Sequence, residues 1–215
     1  MSLTLSGGVM LPQLRAIHHG SCDTVAWMSG VRLGPFESDQ LPIVTPWFED
    51  VESQRWLGGP GWPGLILDLA SHSLAEFRGA VETGRYAWVA WDGDRPVGLI
   101  DCGTTDRWTT WEGGPGGRGV IASIAVPSAN ISYVVDPTAR RCGYGSAMLR
   151  ELLDVPALAH IELFAAGFEP GNTASIRCAR SAGFDPLTSE PDWEGIIYHL
   201  KRRMRVSMPQ LLAFE

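Results

Sequence analysis

The sequence predicts an α+β fold, a mixed and mainly antiparallel central sheet flanked by helices. Three observations predict it. Strand candidates in the first half pair locally, around a turn signal at Asp92-Gly93-Asp94-Arg95. Strand candidates from Ile131 onward alternate with helical segments instead. The chain of 215 residues is 45% apolar, enough to bury the core of one domain with elaborations.

Met1 to Asp23 has little periodicity and reads as an N-terminal extension or extra element, with residues 24–215 as a single domain. Trp27 to Leu33 reads as the first strand. Glu37-Ser38-Asp39-Gln40 offers a helix start before Leu41, Ile43, Trp47 and Phe48. Asp50 to Leu57 reads as a second short helical segment, and the glycines and prolines of Gly58 to Gly64 break the chain. Leu65 to Glu82 carries helical periodicity through Leu69, His72, Leu74, Phe77 and Val81. Tyr86 to Trp91 and Pro96 to Cys102 form the arms of the hairpin. Thr104 to Gly119 is polar and glycine-rich, a long loop or hairpin tip with Trp108 and Trp111 embedded. Val120 to Val126 and Ile131 to Val135 are strand candidates. Gly143 to Leu153 reads as a helix with Ala147, Met148, Leu149 and Leu152 inward, stopped before Pro156. His160 to Ala165 reads as a strand, and Trp193 to Lys201 as a late one.

A formal charge of −7 argues against nucleic-acid binding, which needs a basic footprint, and favours a cationic acceptor such as an amine. No apolar run reaches a membrane span, and no signal peptide is evident, so a cytoplasmic location is expected. Cys22, Cys102, Cys142 and Cys178 lack C-x-x-C spacing and read as reduced thiols. The histidines are scattered apart from His18-His19, so no metal site is expected. Oligomeric state is open, a homodimer included.

Val135 to Ser146 joins a buried strand to an amphipathic helix through Arg140-Arg141-Cys142-Gly143-Tyr144-Gly145-Ser146. Backbone N–H groups at a helix start, helped by the macrodipole, make an anion site. Gly143 and Gly145 allow close approach, and Arg140 and Arg141 add positive charge. The run lacks the lysine of a Walker loop, and Met148 stands where a dinucleotide fingerprint needs its third glycine. A second segment, Asn172 to Phe184, is a helix with Asn172 as N-cap, Gly183 as stop, and Ile176, Ala179 and Ala182 on one face.

The R-x-x-G-x-G loop resembles the coenzyme A pyrophosphate loop of the GCN5-related N-acetyltransferases (GNAT superfamily), and Asn172 to Phe184 is similar to the helix that follows the next strand in them. The pattern is nearest to the ribosomal-protein N-terminal and aminoglycoside acetyltransferase branches. This resemblance implies a sheet splayed between its fourth and fifth strands, with Ile131 to Val135 and His160 to Ala165 flanking the splay. It implies acetyl-CoA as co-substrate, with the N–H groups from Arg141 to Ser146 around the pyrophosphate, Arg140 and Arg141 on phosphates, and Tyr133, Val134 and Val135 along the pantetheine. Asn172 belongs to the same binding set.

The implied reaction is direct acetyl transfer in a ternary complex to a primary amine, an aminoglycoside or a peptide N-terminus. The tyrosine that many relatives carry seven residues after the asparagine is Ala179 here. Ser175 and Tyr198 are the remaining thiolate acids. No single base follows: Glu52, Asp50 and Asp101 are candidates as carboxylates of the early helices and third strand, which line acceptor pockets in relatives, and a water chain could take the proton without a dedicated residue. Trp47, Trp56 and Trp62 fall where an acceptor wall is expected. A non-catalytic acyl-CoA sensor on the same fold is the alternative.

Overall fold

The computed structural model describes residues 30–71, 76–114 and 116–203. Strand β1 (Val31–Pro35) leads through 3-10 turns into α1 (Leu41–Val44), α2 (Val51–Leu57) and α3 (Trp62–Ser71). A long hairpin follows, β2 (Glu82–Asp92) with β3 (Arg95–Thr105), and then a shorter one, β4 (Trp108–Glu112) with β5 (Gly119–Ile124). The rest alternates: β6 (Ser128–Val135), α4 (Tyr144–Leu153), β7 (Leu163–Phe168), α5 (Thr173–Ser181), β8 (Asp185–Pro186) and β9 (Ile197–Arg202). Seven strands form one sheet in the order β1-β2-β3-β6-β7-β9-β8, and β4–β5 stands apart as its own two-stranded sheet.

Among the described residues only β6 and β7 run parallel, and they pair at just Ser128–Leu163, Ala129–Phe164 and Asn130–Ala165. Beyond Asn130 they part, which is the expected splay. Strand pleating puts Val89, Leu99, Asp101, Ser132 and Val134 on one face, with Trp88, Ile100, Cys102, Ile131 and Tyr133 on the other. On the first face, Val44, Trp47, Phe48 and Ile66 of the early helical segments bury against Val89, Leu99 and Val134. On the second, Met148, Leu149 and Leu152 of α4 join Ala179 of α5 over Trp88, Ile100 and Phe164. The inward residues expected for α4 are all buried.

Four boundaries differ from the sequence reading, each for a local reason. The first strand covers Val31–Pro35, and Trp27 to Ser29 lie outside the described residues, as do Met1 to Asp23. The helix expected to reach Glu82 is described over Trp62–Ser71, and His72 and Leu74, counted toward its periodicity, lie outside the described residues. Arg78 and Gly79 adopt φ of 52° and 77°, and Phe77 and Ala80 exchange backbone hydrogen bonds of 2.8 and 3.0 Å across that turn. Phe77 and Val81, counted toward helical periodicity, are half exposed. The strand expected at His160 begins at Leu163, because a 3-10 turn at Pro156–Leu158 carries the chain down to buried Ile161 first. Trp193 belongs to a turn in which Asp192 accepts the N–H groups of Glu194 and Ile196 at 2.9 Å, so the last long strand starts at Ile197. The Thr104–Gly119 stretch takes its hairpin alternative, with β4 inside it. Among the described residues, no helix is long and apolar enough to cross a membrane.

Candidate active site

The loop before α4 is built from the inside. Buried Asp136 accepts the Thr138 N–H at 2.9 Å and the Thr138 hydroxyl at 2.8 Å, which fixes the 3-10 turn Pro137–Ala139. Arg141 and Gly143 then take left-handed φ values of 65° and 82°. Such alternation curls successive N–H groups into an anion-binding concavity. Gly143 is the N-cap of α4, and Ala147 N–H bonds back to its carbonyl at 3.1 Å, leaving the preceding amides at the helix mouth. The Ser146 hydroxyl donates to Gly143 C=O at 3.1 Å. The Tyr144 hydroxyl donates to Asp92 at 2.5 Å, and this bond pushes the phenol up to about 12.

Gly145 is set by close packing. A Cβ there would stand 2.9 Å from Cys178 Sγ, so α4 and α5 interlock at that point. Cys142 is half-buried in the same loop.

The two arginines differ. Arg141 is exposed at the loop's outer edge. Arg140 donates to Asp50 at 2.7 Å, Ser53 at 2.8 Å and Glu52 at 3.0 Å, which ties the loop to the start of α2. The Ser53 amide, then the Arg140 guanidinium, hold the Asp50 carboxyl below its usual range. Glu52, one of the three carboxylates read from the sequence as candidate bases, therefore stands beside the anion loop.

Strand β6 carries the site inward. Asp136 N–H donates to Val97 C=O at 2.9 Å, so alternate residues back along the strand, Val134 and Ser132, also bond toward β3. Ile131, Tyr133 and Val135 present their N–H and C=O groups to the splay. Val134 instead contributes a buried side chain beneath α1. The Tyr133 hydroxyl crosses to donate to Ser175 C=O at 3.0 Å, and its ring meets Phe168 edge-on at 6.3 Å. Burial pushes the Tyr133 phenol well above its ordinary range. Ser175 sits in the first turn of α5, where Asn172 accepts its N–H at 3.2 Å.

On the Asp101 face the splay opens into a cavity of about 470 Å³. Asp101 and Ser132 form one wall, Tyr198 stands across from them, and Trp108 and Trp111 come from the short hairpin. The Ser132 hydroxyl donates to Asp101. Burial pushes the Asp101 carboxyl up to about 6, while Ser132 and the Arg85 charge oppose the rise. Tyr198 meets Trp108 edge-on at 6.3 Å, and burial pushes its phenol up against the pull of Arg78.

Ser175 and Glu52 do not line this cavity, and neither do Trp47, Trp56 and Trp62. Trp47 is buried and Trp62 packs beside it in the core under α1 and α3, while Trp56 stacks under Arg55 at 4.4 Å. Glu82, Arg85 and Ser132 escaped sequence reading. One signal was present: Asp101 and Ser132 each interrupt an apolar strand, and they sit directly opposite each other in the register.

Residues 48–184 match the model of the Acetyltransferase (GNAT) family. The uncharacterized N-acetyltransferase YfmK of Bacillus subtilis (strain 168) is 25% identical over 168 residues, covering 77% of this chain and 93% of that protein. A structure of aminoglycoside acetyltransferase AAC(6')-Ib in complex with coenzyme A superposes with a TM-score of 0.58 at 18% identity, covering 81% of this chain and 95% of that one. The GNAT domain of S. lividans PAT gives 0.55 at 20% identity, covering 80% and 90%. The two structural likenesses are of fold.

Proposed function

The chain belongs to the acetyltransferase (GNAT) family and is an acetyl-CoA-dependent N-acetyltransferase, and from that premise we propose that it passes the acetyl group directly to a primary amine in a ternary complex. One observation carries this reading. The parting of β6 and β7 links the anion loop at one end to the Asp101 cavity at the other.

In this mechanism, amides of the Arg141–Ser146 loop hold the pyrophosphate, with Arg141 alongside. The splay-facing groups of Tyr133 and Val135 bond the pantetheine as an added strand would, and Asn172 holds the far wall by capping α5. A main-chain N–H of β6 polarises the thioester carbonyl and then stabilises the oxyanion. The ammonium first gives up a proton to Asp101, which passes it to solvent; the neutral amine nitrogen then attacks the carbonyl carbon, the C–S bond breaks, and the nitrogen's second proton follows through Asp101. A carboxylate near 6 is ionised at neutral pH and close enough in basicity to serve. Tyr198 keeps its proton at neutral pH and delivers it to the leaving thiolate, regaining one from solvent. Its seat in the cavity favours it over Ser175. No side chain forms an acetyl-enzyme: Cys178 is packed against Gly145, and burial pushes its thiol up. A cytoplasmic setting fits a protein in which Cys102 and Cys178 are thiols.

Thiol release from acetyl-CoA across amines, peptide N-termini and aminoglycosides tests the reading. Release that saturates with one acceptor class supports it. Saturable coenzyme A binding with no release from any acceptor would assign the fold to a sensor.

A further inference from the structure

The charges around the cavity discriminate between kinds of amine. Three arginines line it, and each is already engaged two-pronged by a carboxylate. Arg78 grips Glu194 at 2.7 and 2.8 Å. Arg85 grips Glu82 at 2.8 and 2.9 Å, and the Glu82 side chain is only 3% exposed. Arg107 grips Asp106 at 2.7 and 2.9 Å. Asp101 and Asp192 also line the cavity, and among the described residues neither forms an ion pair with a cation. Asp101 is bonded to a neutral hydroxyl, and Asp192 accepts two backbone amides. Glu82, Asp101 and Asp192 line the cavity with the three guanidinium groups, and Glu194 and Asp106 stand behind the lining against Arg78 and Arg107, which brings the count to five carboxylates against three cations. Counted with those two outer partners, the surroundings of the cavity are net acidic and its cations are neutralised at close range, and Trp108 and Trp111 are part of its lining.

Resting on the acetyltransferase reading above, we infer that the acceptor is an amine carrying no carboxylate or phosphate close to the reacting nitrogen. Its body is apolar, hydroxylated or further aminated, and it packs against the hairpin tryptophans. The ammonium form is drawn in by the surplus negative charge and can rest over an indole face. An acid group on the neighbouring carbon would enter beside Asp101 with no unengaged guanidinium to meet it. Like-charge contact of that kind disfavours such an acceptor.

Matched pairs that differ only in that acid group make the test: tyramine against tyrosine, and tryptamine against tryptophan. Thiol release is read as kcat/KM on the full chain. The expected result is a preference of about 100-fold or more for the decarboxylated member of each pair. Releasing a guanidinium should narrow that gap. Glu194→Gln unpairs partly exposed Arg78, and Glu82→Gln unpairs Arg85; each should shift the ratio about tenfold toward the amino acid while coenzyme A affinity holds. Glu194→Gln stands as the main variant, since Glu82 is buried and its replacement risks the fold. Equal kcat/KM within the pairs, or a ratio unmoved by Glu194→Gln in a protein that still binds coenzyme A, overturns the inference. Absence of thiol release from every amine would instead strike the acetyltransferase reading beneath it.

Discussion

A carboxylate set in a cavity wall resists ionisation, and Asp101 shows the consequence in both stability and rate. Folding raises its pKa from 3.8 to about 6. Between those values the folded protein holds a proton that the unfolded chain has released. Stability contributed by that proton is full below the unfolded value and is lost as pH climbs through about 6. A shift of that size corresponds to roughly 2–3 kcal/mol at neutrality. Asp101→Asn should therefore raise Tm at pH 7 while lowering kcat by about 10²–10⁴-fold and erasing the acid limb of the pH–rate profile near 6. A variant with full kcat and an intact limb would remove Asp101 from the proton path.

His199 is 1% exposed, and desolvation holds its pKa below the ordinary value. Here the sign reverses: the stability is present above about 6.5 and is lost on acidification, as the unfolded chain takes up a proton that the core refuses. His199→Leu should flatten the acid side of a Tm-against-pH curve. An unchanged slope would mean that another group sets it. His199 did not stand out in the sequence. Asp101 was one of three candidate carboxylates, and nothing in a linear string tells which one a hairpin further along the chain will cover.

Helices α4 and α5 meet through the absence of a side chain at Gly145, so their contact can be tested as a pair. Gly145→Ala drives a methyl group into Cys178 Sγ and should cost about 1–3 kcal/mol in denaturant unfolding. Adding Cys178→Ala should return part of that loss, with a coupling of about 1 kcal/mol. Strict additivity would show that the helices do not bear on each other there. Gly143→Ala carries a separate cost of about 1–2 kcal/mol from its left-handed φ, and it should weaken coenzyme A binding in calorimetry. Unchanged affinity would put the pyrophosphate elsewhere.

At this scale much was legible. The buried faces of α4 and α5 follow from their spacing, and the β2–β3 hairpin from its turn. The departure from helix at Phe77 and Val81 was not, because both fit a helical period yet lie on a turn and beside a strand. The 3-10 turn before β7 also hid where that strand begins.

Across the whole molecule, the cavity is assembled by residues from Phe77 to Tyr198, brought together by a hairpin that leaves the main sheet. That hairpin is clasped from outside: the Trp193 indole N–H donates to Trp111 C=O at 2.8 Å, and the Thr109 hydroxyl donates to Arg78 C=O at 3.0 Å. Trp193→Phe should raise acceptor KM several-fold with acetyl-CoA affinity unchanged; equal shifts in both would show that the clasp serves the fold in general. Sequence order could not reveal this enclosure, since its walls come from segments far apart in the chain. The splay was legible only through the family resemblance of Val135 to Ser146 and Asn172 to Phe184.

The short junction between β6 and β7 has a further meaning for how the chain acquires its shape. Among the described residues, three register pairs are all the strand pairing that joins a four-stranded antiparallel unit (β1, β2, β3 and β6) to a three-stranded one (β7, β9 and β8). Each unit is held mainly by its own hairpins and local crossings, so each is a natural cooperative block with its own opening energy. Native-state hydrogen exchange should resolve two groups of amides, with β7 and β9 opening together at a free energy different from that of β2 and β3. A single global opening for all four strands would show that the helices weld the seam as firmly as hydrogen bonds would.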